Sequence, residues 1–128
     1  MSRYWILDRE ESPQGLPLGL LISKIREATG VTDGELHIRR SQGYGEQVCH
    51  WDELLDRTDE IPVALEDLAR ISEGTDEWFF DLDVVLKTPS VSVGFGVHDS
   101  SALFLDAPPP LAEKVTAAFK QVRHAEDS

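Results

Sequence analysis

Apolar and polar residues alternate most regularly over residues 78–87. Trp78, Phe80, Leu82, Val84 and Leu86 fall on one side, with Phe79, Asp81, Asp83, Val85 and Lys87 on the other. A period of two predicts a half-buried strand. The pattern repeats downstream, where Val91, Val93, Phe95 and Val97 oppose Ser92, Gly94, Gly96 and His98. Thr88-Pro89-Ser90 separates these runs as a turn, and Asp99-Ser100 suits a two-residue hairpin leading into a third strand over 101–106. Strands joined so closely must pair antiparallel.

Upstream, Tyr4–Leu7 reads as a first strand. After Pro17, residues Leu18, Leu21, Ile22 and Ile25 recur at helical spacing until Gly30. Residues 35–40 alternate, with Leu36 and Ile38 on one side. Gly43-Tyr44-Gly45 marks 41–47 as a turn or exposed loop, and Val48–Trp51 reads as a short returning strand. Helical patterning resumes at Asp52–Arg57 with Trp51, Leu54 and Leu55 inward. Asp59-Glu60-Ile61-Pro62 resembles a helix start, with Pro62 in the first turn. Ala64, Leu65, Leu68 and Ile71 follow as its buried stripe and Gly74 as its end, with Glu66, Asp67, Arg70 and Glu73 opposite. Pro108-Pro109-Pro110 launches a last helix carrying Leu111, Val115, Ala118, Phe119 and Val122 on one side.

The expected architecture is a single α+β domain over residues 1–128, an antiparallel meander sheet of about 4–5 strands packed against helices as a sandwich. Leu18, Leu21, Leu65, Leu68, Phe95, Val115 and Phe119 should share its core, with 124–128 as a disordered tail. A chain of 128 residues is long enough to bury such a core without staples.

Charge changes the picture. The chain carries 24 acidic and 12 basic residues, a net −12. Residues 51–83 hold twelve of the acids and two of the bases, so −10 of the total sits in about a quarter of the sequence. Such a field opposes compaction by self-repulsion and speeds encounter with a basic partner. It argues against nucleic acid as a ligand, which needs clustered Lys and Arg, and against an anionic membrane surface. The N-terminus lacks the charged and apolar regions of a secretory signal, and no apolar run is long enough to span a bilayer. One cysteine, Cys49, excludes an internal disulfide and leans towards a reducing compartment, so a cytoplasmic location is expected. The absence of asparagine, and four lysines against eight arginines, match usage common in G- and C-rich coding DNA and fit a bacterial source.

Few residue sets carry chemistry. Asp81 and Asp83 should share one sheet side with His98 beside Asp99, a pattern that could serve acid–base catalysis or hold a divalent cation. No nucleophile or further ligand accompanies them at a telling spacing. Cys49 and His50 are adjacent, so on a strand they would point apart, and a buried, inert cysteine is the plainer expectation. Gly94-Phe95-Gly96 lacks the length and the Lys of a phosphate loop, leaving close helix packing as the expected reason for its glycines. No cofactor or metal is implied.

The expectation is a non-enzymatic acidic binding protein that inhibits a basic protein partner, as a bacterial immunity protein or antitoxin neutralises a toxin. Its docking surface would comprise Tyr44, Asp52, Asp56, Asp59, Glu60, Glu66, Asp67, Glu73, Asp76 and Glu77. The competing readings are a small enzyme or ligand-binding domain using Asp81, Asp83 and His98, and a regulatory subunit of a larger assembly.

Overall fold

The computed structural model describes residues 2–31 and 35–125. Its elements run β1 (Ser2–Ile6), α1 (Leu18–Thr29), β2 (Glu35–Tyr44), α2 (Glu46–Leu55), β3 (Ile61–Ala64), α3 (Leu65–Glu73), β4 (Trp78–Lys87), β5 (Ser92–His98), β6 (Ala102–Ala107), α4 (Pro109–Thr116) and β7 (Val122–His124). The seven strands form one sheet in the order β3-β2-β4-β5-β6-β1-β7, every neighbouring pair antiparallel. The α+β class and the β4–β5–β6 meander are as expected, but the sheet has seven strands rather than four or five. Among the described residues, no helix is long and apolar enough to cross a membrane.

The helices bury one side of the sheet. Leu18, Leu21 and Ile25 of α1, Leu65 and Leu68 of α3, Val115 of α4 and Phe119 join Phe95, Leu82, Val84 and Leu105 in a single core. Gly30 ends α1 in the left-handed conformation, its N–H donating to the Arg26 carbonyl at 2.9 Å.

Several local expectations are overturned. Residues 41–44 continue β2 instead of forming a loop, and 48–51 belong to α2 instead of a strand. Val48 and Trp51 are buried at helical spacing while Leu54, expected inward, is 37% exposed. The start of α2 is held from a distance: Glu77 Oε1 accepts the N–H groups of Gln47 (2.7 Å) and Val48 (3.0 Å). Residues 61–64 form an edge strand, not a first helical turn. Ile61 and Val63 point inward, Pro62 and Ala64 outward, and an edge tolerates Pro62 because the missing N–H would face away from the sheet.

The last helix stops at Thr116, so Ala118 lies exposed beyond it and Val122 enters β7. The Asp8 carboxylate accepts the N–H groups of Lys120 (3.0 Å) and Gln121 (2.7 Å), and Leu7 N–H donates to the Gln121 carbonyl. These bonds draw the chain out of helical register and alongside β1. Residues 124 and 125 are ordered into this arrangement, and the rest of the expected tail, 126–128, lies outside the described residues.

The alternation of β4 also breaks. Asp81 pairs with Gln42 but Phe79 pairs with Gly43, so Phe80 is an extra residue in a bulge. Phe79 is therefore buried at 1% exposure and Phe80 stands out at 49%, the reverse of strict period two. Gln14 holds the bulge in place, its amide donating to the Phe79 carbonyl and accepting the Phe79 N–H, both at 2.8 Å. A second register shift at Arg39 turns both Arg39 and Arg40 outward.

Candidate docking surfaces

The acidic block folds into α2, β3, α3 and the start of β4, and its residues divide by use. Glu77 holds the start of α2. Glu60 is half-buried at the edge beside β3, with His37 Nδ1 (3.3 Å), Arg39 Nε (3.4 Å) and Lys87 Nζ (3.8 Å) around its carboxylate. Asp67 pairs with Arg70 one turn along α3 at 3.1 Å. These three carboxylates serve the fold. Asp52 and Asp56 at α2, Glu66 and Glu73 on α3, and Asp59 and Asp76 in the flanking loops make no ion pair with another described residue; all but the half-buried Asp52 are exposed. Helices α2 and α3 share a shallow groove of about 490 Å³ lined by Glu46, Gln47, His50, Arg70, Ile71 and Glu77. A neighbouring depression of about 610 Å³ is lined by Tyr44, Glu46, Cys49, Asp76 and Glu77. Tyr44 is 57% exposed and stacks on Trp78 with ring centroids 4.5 Å apart, whereas Trp51 plugs the core. Cys49 is exposed, not buried, because it lies on the outer side of a helix.

Among the described residues, no helix covers the other side of the sheet. Register places Arg3, Trp5, Arg40, Asp83, Val85, Gly94, Gly96, Phe104 and Asp106 there, since partners directly opposite in a ladder point the same way. Asp81 and His98 share this side with Asp83, as the alternation predicts, but each has its own neighbour. Asp81 Oδ1 accepts the Asp99 N–H at 2.9 Å and so clamps the β5–β6 hairpin, whose Asp99 and Ser100 both have positive φ. His98 meets Trp5 edge to face at 5.4 Å. Asp83 is half-buried among Arg39, Arg3, Arg40 and Asp106; burial raises its pKa above the ordinary aspartate value, against the pull of the arginines. Among the described residues, no group of three or more His, Cys, Asp or Glu side chains is placed to hold a metal ion.

The alternate glycines of β5 face this open side, so helix packing does not account for them. A Cβ on Gly94 would lie 3.3 Å from the Asp106 side chain; one on Gly96 would strike the Leu82 carbonyl oxygen and come within 2.9 Å of Phe104. The bare backbone lets those two side chains lie across the sheet. Arg3 then grips Asp106 with two bonds, Nε to Oδ1 at 2.7 Å and Nη2 to Oδ2 at 2.8 Å, which holds its guanidinium charged. The same guanidinium sits 4.3 Å from the Phe104 ring centroid and 5.4 Å from that of Trp5.

No family model, curated protein or solved structure matches the chain.

The open side is only partly legible in the sequence. Arg3 and Trp5 alternate in β1, and Phe104 and Asp106 alternate in β6. That signal was present, yet only the strand order brings the four residues together.

Proposed function

We propose that this chain is a non-enzymatic binding protein that docks a basic protein on its helical side and thereby inhibits it, in the manner of a bacterial immunity protein or antitoxin acting on a toxin. The observation that carries this reading is the group of acids around α2 and α3, Asp52, Asp56, Asp59, Glu66, Glu73 and Asp76 among them, that make no ion pair with another described residue. A folded protein usually interleaves charges of both signs on its surface, which suffices for solubility. Maintaining an unpaired field costs stability, and steering a cationic partner is a gain that offsets it. Tyr44, on its shallow acidic depression, supplies an aromatic contact at the border of this field. Glu60, Glu77 and Asp67 drop to the periphery of the surface, because their carboxylates already have partners.

The test is affinity capture from the native host with the intact chain as bait. It is run beside a variant with Asp52, Asp56, Glu66 and Glu73 changed to Lys, and beside a control with Glu10, Glu11, Glu27 and Glu113 changed to Lys. A basic protein should be retained by the wild type and the control, released by salt, and lost from the block variant. Its activity should fall when the wild-type chain is added. Capture equally lost in both variants, or a captured protein whose activity is unchanged, would reject this reading.

A further inference from the structure

We propose that the open side of the sheet is the interface of a homodimer, two copies meeting sheet to sheet with their helices outward. This surface lies on the opposite side of the sheet from α2 and α3, meets the acidic field only at its border around Tyr44, and does not depend on what docks there.

Charge is the first argument. The strand residues of this side, with Glu60 beside them, supply the acids Glu35, Glu60, Asp81, Asp83 and Asp106 and the bases Arg3, Arg39, Arg40, Lys87 and Arg123. Among the described residues the side is therefore neutral, within a chain at −12. Two identical molecules of that charge repel wherever their acidic shells approach. Here a balanced face meets a balanced face, so the approach adds no like-charge contact of the kind the acidic shells would make, and charges not already engaged within the chain, such as Arg123, can pair across a two-fold axis. The acid-rich helices of the two copies then lie behind both sheets, farther apart than the roughly 8 Å over which physiological salt screens.

Size and chemistry are the second and third arguments. At the ordinary strand rise and spacing, the seven strands present roughly 700 Å² to this side, with roughly 20 outward residues. A stable interface takes roughly 800 Å² and 20–30 residues from each partner. The side presents Trp5, Tyr44, Trp78 and Phe80, together with Val85, around arginines, while Phe104 is buried beneath Arg3. Aromatic residues and arginine are the types that interfaces favour. Tyr44 (57%) and Phe80 (49%) are the most exposed of the described chain's large apolar side chains. The Phe80 bulge and the stacked Tyr44–Trp78 pair put these rings near one end of the β2–β4 ladder. Arg3, already tied to Asp106 and spread over Phe104, is rigid before association and loses little freedom in it.

The experiment is sedimentation equilibrium of the intact chain from low to high micromolar concentration in physiological salt. Wild type should fit a reversible dimer of twice the chain mass. Phe80→Glu and Tyr44→Glu, both at exposed positions and checked for wild-type circular dichroism, should each weaken association tenfold or more. Leu54→Glu adds the same charge on the helical side and should leave association within twofold. A wild type that stays monomeric over the whole range overturns the proposal. So does a dimer untouched by both sheet variants, or one weakened equally by Leu54→Glu. None of these results depends on a basic partner, so they leave the docking reading to its own test.

Discussion

At the scale of single residues, much of the fold depends on side chains that act far from their own position. Glu77 precedes β4, yet its carboxylate closes the two N–H groups that open α2, and Gly45 makes room for it. Gly45 has φ +128°, and a Cβ there would overlap Glu77. Glu77→Ala should cost about 1–2 kcal/mol by urea denaturation, in the range of a lost helix cap. Gly45→Ala should cost at least as much, because it adds backbone strain to the displaced carboxylate. Asp83 gives a second expectation at this scale. Its folded-state pKa lies above the ordinary value, so the folded protein holds that proton more firmly than the unfolded chain does. The group favours folding most below its unfolded pKa, and this contribution is lost as pH rises through the folded value. Asp83→Asn has no such loss. The stability difference between variant and wild type, measured by urea unfolding from pH 3.5 to 7, should therefore move in the variant's favour as pH rises; a flat difference would remove burial as the dominant influence.

At the scale of elements, the bulge in β4 decides which phenylalanine builds the core. Trp78 to Leu86 read as one uninterrupted alternation, which puts Phe80 inside and Phe79 outside. Gln14 binds the Phe79 backbone on both its N–H and its carbonyl, the extra residue is absorbed at Phe80, and the phase inverts. Phe79→Ala should then cost about 3–5 kcal/mol, as for any large buried ring. Phe80→Ala should cost less than about 1 kcal/mol in dilute, monomeric protein. Equal costs in urea melts would place the bulge elsewhere. The edge strand β3 shows a related effect. Pro62 after two acids is a common way to begin a helix, but His37 and Ile38 of β2 offer a ladder to the same residues. Burial of Ile61 and Val63 at period two wins over the local signal, and α3 begins only at Leu65.

At the scale of the whole molecule, charge and layering coincide. The open side of the sheet is balanced, while the surplus acids gather around the helices α2 and α3. Self-repulsion among the unpaired acids should make the protein more stable as salt is added at low ionic strength. Changing Asp52, Asp56, Glu66 and Glu73 to their amides should raise the melting temperature in about 10 mM salt and lose most of that advantage by about 0.5 M, where screening is nearly complete. A gain that persists unchanged in high salt would point to local packing or capping as its source. Acids retained against such a gain are what a steering surface would look like.

Period two and period 3.6 were enough to determine the α+β class, the meander of three strands expected at 78–87, 91–98 and 101–106, helix α1, the Leu65–Leu68–Ile71 stripe of α3 though not its start, and the shared core of Leu18, Leu65, Phe95 and Phe119. Each of these rests on near-neighbour spacing that the chain carries within itself. The location of the acid surplus was legible in the same way, because charge is additive along a sequence. Tertiary structure alone decided the rest. Long-range bonds from Gln14 to Phe79, Glu77 to α2 and Asp8 to Lys120 and Gln121 set the phase of β4, the helical state of 46–55 and the exit into β7. Strand order brought Arg3, Trp5, Phe104 and Asp106 to one side from opposite ends of the chain. A bond between residues so far apart in sequence leaves no periodic trace at either end, so only the folded chain could reveal which carboxylates were already in use.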